Sequence, residues 1–505
     1  MALPGGPIDQ ARLARLVAAI PAERFAAQRW FGAKGRPIAR LGLNDAAPLP
    51  GGAGEPDGLL AVVGVGYIDG GAERYLLPLV HGDPPPRGEC PVSPALELRD
   101  EHGAVVLREA REGDGVGRRL VRAIAGGATL PALRGAFVGE PADAIGTLLP
   151  PSLLADAALA ERGLPVDQTN ASVIVGERVV CKSYRRLEPG INPDVEISRF
   201  LVERAGFPHT PTYAGTVRYV GPDGVSASAG MLQAFVPGGR DGWAATVEEL
   251  RAWLGAPPED ISLTAATEEA ARLGAITAQL HAALASARDE GDFAPRRADA
   301  AMLRDWRAAA ERQLDDGLAL LDGEARRAVA ALAPRIRPRF AAFETPAAAP
   351  ILIRVHGDYH LGQILRAGER RLVVDFEGEP TRTLEERRRR QSPLRDVAAM
   401  LRSFDHVARQ AVRESGGGPG LDVEAWLRES RRRFLAAYRA GLRRSGAPIV
   451  VDAGLLRAFE LEKECYELTY EATYLPDWLW MPLTSLRALV ASPTASPAPR
   501  CGPRR

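Results

Sequence analysis

Lysine is almost missing from this chain: of its 64 basic side chains only Lys34, Lys182 and Lys463 are lysine, and the rest are arginine. A planar guanidinium serves nearly everywhere, so each position that keeps a compact ammonium is a candidate for a specific task. Cysteine is also scarce. Cys90, Cys181, Cys465 and Cys501 lie far apart with no CxxC pair, which argues against a disulfide framework or a zinc site. Net charge is absent too, with 64 basic against 64 acidic residues, so no electrostatic footprint for nucleic acid or an anionic membrane is visible. No apolar run reaches the length of about 18 residues that a membrane helix needs, and the first thirty residues lack the apolar core of a signal peptide. The expectation is a cytoplasmic protein with a small-molecule partner, monomeric or weakly oligomeric.

What is present fits a globular chain of two or three structural units: 505 residues, 46% hydrophobic and 25% charged. Residues 1–90 read as a small α+β unit, with a helix from Ile8 to Ala27 and strands Leu59–Tyr67 and Arg74–Val80, closed by the Pro-rich stretch Asp83–Gly88. Residues 91–236 alternate short apolar runs (Ala104–Leu107, Ser172–Val175, Arg178–Lys182, Met231–Val236) with the helical patterns Gly117–Ala125 and Asp194–Ala205. From 237 to 491 the pattern is mainly helical, over Thr267–Ala287, Ala301–Leu321, Val423–Leu442 and Leu455–Tyr474, interrupted by strand-like Ile351–Val355 and Arg371–Phe376. The Pro-rich tail from Ser492 reads as disordered.

The chemistry concentrates in Arg354-Val355-His356-Gly357-Asp358-Tyr359-His360-Leu361-Gly362-Gln363, followed by Leu372-Val373-Val374-Asp375-Phe376-Glu377-Gly378-Glu379. A His-Gly-Asp turn, an amide five residues on and an Asp ending an apolar strand form the layout of a kinase catalytic loop and its metal-binding strand. Asp358 then receives the substrate hydroxyl, Gln363 and Asp375 are Mg²⁺ ligands, and His356 braces the loop from behind. Two hairpin strands with a polar turn are the plainer alternative. An ATP-binding element belongs upstream. The segment Asp167–Ser172 precedes a strand; Lys182 ends the next one, and Glu196 opens a helix fourteen residues later, so Lys182 is expected on the ATP phosphates with Glu196 as its ion-pair partner. That loop is poor in glycine, which leaves Ser172 and backbone N–H groups to cradle phosphate. Gln233 and Phe235 stand where a kinase hinge meets adenine, or in a generic strand-to-linker segment. His281 and His360 read as structural histidines. Arg29, Trp30 and Lys34 read as cap packing or sugar-side residues.

These residues resemble the aminoglycoside phosphotransferase-like superfamily, and more closely its maltokinase branch. Arg29–Arg36 is similar to the first signature of the maltokinase cap, Arg185–Asp194 to its phosphate-lobe segment, and Asp375–Pro380 and Ser392–Asp405 to its helical lobe. The resemblance implies an α+β, bilobal protein-kinase-like fold with a β-rich N-lobe, a helical C-lobe and an additional N-terminal α+β cap. It also implies ATP and Mg²⁺ as cofactors and transfer to the anomeric hydroxyl of maltose. Val166–Glu177 and Tyr474–Trp480 also resemble the related actinobacterial glucosamine kinases, which implies glucosamine 6-phosphate as the alternative product. The candidate substrate contacts are Asp405, Glu464, Glu467, Tyr470, Glu471 and Trp478. Glu464, Glu467 and Glu471 share one helical face, which reads equally well as plain solvated surface, and Trp478 as core packing. A catalytically silent kinase-like binding protein is the rival from another class.

Overall fold

Pro21 divides the opening segment into two helices, Gln10–Ala18 and Ala22–Ala26, because it has no N–H to extend the first and caps the second. The structure, a computed structural model, describes residues 9–51, 55–81, 96–156, 159–164, 171–287, 291–416 and 420–491. The Pro-rich break at 83–88, residues 165–170 of the loop before Ser172, Cys90, Cys501 and the tail from 492 lie outside the described residues.

The chain folds as two compact units. The first comprises Met1–Glu203, Pro211–Pro237 and Pro380–Glu386, the second Arg204–Thr210, Gly238–Glu379 and Arg387–Arg505. In the first, β1 (Ile38–Leu49), β2 (Gly58–Tyr67), β3 (Ala72–His81), β4 (Glu97–Arg99) and β5 (Val105–Glu109) make an antiparallel sheet of order β1-β2-β3-β5-β4. This sheet runs on to Glu109, past the break expected near residue 90. Its longest member, β1, carries Gly42, Asn44, Asp45 and Pro48 and therefore gives little strand signal of its own.

Period-two alternation sends β2 side chains to two different cores. Leu59, Ala61, Val63 and Val65 pack with Leu13, Val17, Phe25 and Phe31 of the N-terminal segment. Leu60 and Val62 pack with Val175, Val217 and Leu232 of the following layer. That layer is a second antiparallel sheet, built from β6 (Thr129–Pro131), β7 (Ala136–Pro141), β8 (Glu161–Gly163), β9 (Ala171–Val175), β10 (Val179–Ser183), β11 (Tyr213–Val220) and β12 (Ser226–Ala234). Its order is β6-β7-β11-β12-β10-β9-β8. Polar ties join the two layers: Leu76 N–H donates to Arg185 O at 2.7 Å, Tyr219 Oη donates to the buried Asp45 at 2.7 Å, and Arg185 pairs with Glu109.

The second unit is mostly helical. Helices Glu268–Leu284 and Val423–Ser445 cross so closely that a Cβ at Gly274 would lie 2.2 Å from Phe434 O, which leaves room only for glycine. Leu394–Ser415 and Ala453–Tyr474 stand beside them, and a small sheet of Arg240–Asp241, Ile364–Ala367 and Arg370–Val373 carries the site described next. Among the described residues no helix is long and apolar enough to cross a membrane.

Candidate active site

In the first unit, β10 places Lys182 opposite Ser172 of β9 and Met231 of β12. The lysine is buried, and the carboxylate that meets its Nζ at 2.8 Å belongs to Asp194, which also accepts from Tyr184 Oη at 3.2 Å. Glu196, expected in the ion-pair role, lies two residues on in the same first turn. Asn192 N-caps the Pro193–Arg199 helix by accepting from Asp194 N–H, and that cap fixes Asp194 in the first turn, deeper than the half-buried Glu196. Gln233 lies in β12 opposite Val180. Phe235 follows the strand, its N–H on Arg178 O at 2.8 Å and its ring 5.3 Å from the Arg162 guanidinium.

In the second unit the His-Gly-Asp turn is held from behind by Asp396 of the Leu394–Ser415 helix. Its two oxygens accept the N–H groups of His356 at 2.9 Å and Gly357 at 3.0 Å, and His281 Nε2 approaches at 3.2 Å. Burial alone would raise the Asp396 carboxyl, but His281 and the Gly357 N–H hold it below the usual carboxylate range. His356 donates from Nε2 to Val374 O at 3.0 Å, so its Nδ1 is left to accept the Asp358 N–H at 3.4 Å. Both histidines thus brace the loop. Gly357 takes φ +85°, and Gly378 Cα stands only 3.2 Å from where its Cβ would be.

Asp375 also has a positive φ of 65°, uncommon for a residue with a Cβ and a feature of constrained functional sites. Gln363 reaches its carboxylate at 3.4 Å through the amide group. The amide oxygen and the carboxylate are hard donors of the kind Mg²⁺ takes, so this pair fits that metal. The described structure thereby brings together His356, Asp358, Gln363 and Asp375.

The Ala453–Tyr474 helix completes the surroundings, and here the solvated-face reading is corrected: Glu464, Glu467 and Glu471 are all buried. Helix Leu394–Ser415 packs against this face and supplies partners. Arg402 pairs with Glu467 at 3.3 Å and donates to His406 Nδ1 at 3.3 Å, and His406 Nε2 meets Glu464 at 3.2 Å. Burial first, and then Arg402, pushes His406 down to about 3, while burial raises Glu464 well above its ordinary value. Lys463 Nζ lies 2.6 Å from Glu379, 3.3 Å from Glu467 and 3.5 Å from Asp358. Asp405, expected as a substrate contact, pairs with Arg409 at 2.6 Å and accepts from Ser485. Tyr470 stacks between Tyr466 and Tyr474, with ring centroids 6.0 and 5.0 Å away.

Beside the catalytic turn lies a cavity of about 300 Å³, lined by Asp241, Trp243, His360, Gly362, Arg402, His406, Glu471, Trp478 and Met481. That is the lower end of small-molecule sites, with aromatic walls and a few polar groups. Trp478 and Glu471 were legible as candidates. Trp243, Asp241, Arg402 and His406 were not, because they come from other helices and strand ends; for Lys463 the rarity of lysine was the available signal.

These are the parts of a kinase-like phosphotransferase, strung along the chain in the order such a fold uses them. Comparison with known proteins agrees. A family described as "Phosphotransferase enzyme family" matches residues 162–444, and one described as "Maltokinase N-terminal cap domain" matches residues 25–111. A glucosamine kinase of Streptacidiphilus jiangxiensis is 36% identical, over 78% of this chain and 84% of its own length. One of Mycolicibacterium smegmatis is 31% identical, over 68% and 83%. A solved glucosamine kinase in complex with glucosamine, ADP and inorganic phosphate is 31% identical with a TM-score of 0.64, covering 94% of this chain and 98% of that one. The chain belongs to the phosphotransferase enzyme family, with a maltokinase-type cap ahead of its kinase-like part. It is an ATP-dependent phosphotransferase.

Proposed function

We propose that the protein transfers the γ-phosphoryl group of ATP to an amino sugar, with glucosamine the preferred acceptor, in the presence of Mg²⁺. The observation that carries this reading is Glu471. It lines the cavity, its Oε2 has no hydrogen-bond partner among the described residues, and burial first, then the neighbouring Glu467, pushes it up to about 9. An empty cavity therefore holds a neutral acid near pH 7. A sugar ammonium supplies the charge that ionises Glu471 and forms a charge-assisted hydrogen bond, which maltose cannot do. The glucosamine kinases among the relatives point the same way.

In this reading Asp358 orients the acceptor hydroxyl and takes its proton, Lys182, steadied by Asp194, neutralises the ATP phosphates, and Ser172 lies beside them. Backbone groups near Gln233 and Phe235 meet adenine. Gln363 and Asp375 hold Mg²⁺, which when bound neutralises charge on the phosphates. Trp478 and Trp243 offer apolar faces to the sugar ring, and His356 keeps the turn in place. A cytoplasmic enzyme with no nucleic-acid partner belongs to the same reading, in keeping with the balanced charge of the chain.

The maltose reading is favoured by the cap match. Yet the solved glucosamine kinase aligns over 94% of this chain, leaving only about 30 of 505 residues outside, so most of the cap segment is shared with it. The deciding experiment offers ATP with glucosamine, maltose or glucose in parallel and follows ADP release. Glucosamine is expected to turn over fastest; a preference for maltose would overturn the reading.

Glu471→Gln is expected to lower kcat/KM for glucosamine by about ten- to a hundredfold, the worth of one hydrogen bond to a charged group. Wild-type binding of the ammonium form below neutral pH is expected to release a proton as Glu471 ionises, read by calorimetry in two buffers of different ionisation enthalpy. Proton uptake, or unchanged kcat/KM in the variant, would remove Glu471 from amine recognition.

A further inference from the structure

Asp358 sits on a well-braced turn, but that bracing acts on the backbone. Asp396 and His356 accept from backbone N–H groups and leave the Asp358 carboxylate to be oriented by something else. Among the described residues two side chains approach that carboxylate: Lys463 Nζ at 3.5 Å and His360 Nε2 at 3.8 Å. The same His360 nitrogen also lies 3.5 Å from the Gln363 amide, so it is shared with a second group. Lys463 is the cation. Although burial opposes its charge, Glu379, Glu467 and Asp358 together hold its pKa above the ordinary lysine value.

Lys463 is also anchored independently of Asp358. Its shortest contact is Glu379 at 2.6 Å, just after the Asp375 strand, and a further one is Glu467 at 3.3 Å, one helical turn along its own helix. Its Nζ lies 4.4 Å from the centre of the Tyr466 ring. An ammonium has three donors splayed about one nitrogen, which suits three separate carboxylates. A guanidinium offers a flat fork suited to one carboxylate taken bidentately. This accounts for lysine here in a chain that uses arginine for 61 of 64 basic positions.

We propose that Lys463 is a positioning residue for the transfer: held by Glu379 and Glu467, it fixes the Asp358 carboxylate in the orientation that receives the acceptor hydroxyl. The inference rests on Asp358 being the base. Lys463 does not touch the transferred group. Its effect falls on the rate of transfer rather than on binding, since a misplaced base leaves both substrates bound but out of line.

The test uses the whole chain in five variant forms beside the wild type: Lys463→Met, Lys463→Met with Glu379→Gln, Lys463→Arg, and Asp358→Asn with and without Lys463→Met. Steady-state kinetics with ATP and glucosamine, thermal melting and ADP binding are measured on each. Lys463→Met is expected to lower kcat on the order of a hundredfold, with KM for both substrates and ADP affinity unchanged. Its melting temperature drops too, because the buried Glu379 loses the ammonium 2.6 Å away; adding Glu379→Gln removes that charge and restores the melting temperature but not kcat. In the Asp358→Asn background, Lys463→Met lowers turnover no further, as expected of residues acting as one unit. Lys463→Arg keeps the charge and carries the comparison where the methionine variants fold poorly; it too loses kcat.

Wild-type kcat in Lys463→Met or Lys463→Arg overturns the proposal. So does kcat recovering together with melting temperature in the double variant, which would make the lysine purely structural. A raised KM for ATP at unchanged kcat overturns it as well, by assigning Lys463 to phosphate binding. Wild-type turnover in Asp358→Asn would instead remove the reading on which the proposal stands, and is visible without any Lys463 variant.

Discussion

Asp358→Asn is expected to lower turnover by roughly a hundredfold to ten-thousandfold while leaving ADP binding intact. The asparagine keeps the shape of the side chain, and the turn keeps its brace, because Asp396 and His356 hold backbone N–H groups that the substitution does not touch. What it removes is the capacity to accept a proton from the acceptor hydroxyl and the negative charge facing Lys463. The loss therefore falls on kcat, measured by ADP release at saturating ATP and sugar, and not on nucleotide affinity, measured by calorimetry with ADP. Unchanged turnover would remove Asp358 from the chemistry. Turnover and ADP affinity falling together would instead show a collapsed turn.

Asp358, Gln363 and Asp375 were legible in the sequence because they lie within one short stretch, where spacing alone constrains geometry. The pattern of Glu464, Glu467 and Glu471 was equally local, yet it was ambiguous, since three carboxylates on one helical face describe solvated surface as well as a buried site. What decided it was Arg402 and His406 on another helix, some sixty residues away in sequence, which give buried carboxylates their partners. Asp194, which meets Lys182 at 2.8 Å, was not singled out for a similar reason. The first turn of the short helix capped by Asn192 holds both Asp194 and Glu196, and spacing from the lysine does not reveal that Asp194 is the more deeply buried of the two. Strand β1 was missed because Gly42, Asn44, Asp45 and Pro48 weigh against a strand, whereas pairing along β2 and burial of Ala46, Ala47 and Leu49 in two cores hold it in place. Lysine scarcity marked Lys463 as special. Its partners Glu379 and Asp358 are 84 and 105 residues away and could only be found in the fold.

The largest effect on stability is expected from Asp396→Ala. This carboxylate is buried, accepts two backbone N–H groups of the catalytic turn and meets His281, which in turn contacts Tyr438 Oη at 2.8 Å. Alanine would leave the buried His356 N–H, the partly buried Gly357 N–H and one imidazole without their acceptor. Each orphaned donor costs about 1–3 kcal/mol, so a total of about 3–5 kcal/mol is a reasonable expectation. Denaturant unfolding of wild type and variant measures it; a change below about 1 kcal/mol would show that the turn is held by other contacts. The pH dependence has a definite sign. Because the folded protein holds the Asp396 carboxyl below its ordinary value, the group contributes its full stabilisation above the unfolded carboxylate pKa. That contribution is lost as pH falls through the lower folded value. The stability gap between wild type and Asp396→Ala is therefore expected to be constant near neutrality and to narrow only in acid, at pH values below the usual carboxylate range. A gap that narrowed already between pH 7 and 5 would mean that the ionised carboxylate is not what holds the turn.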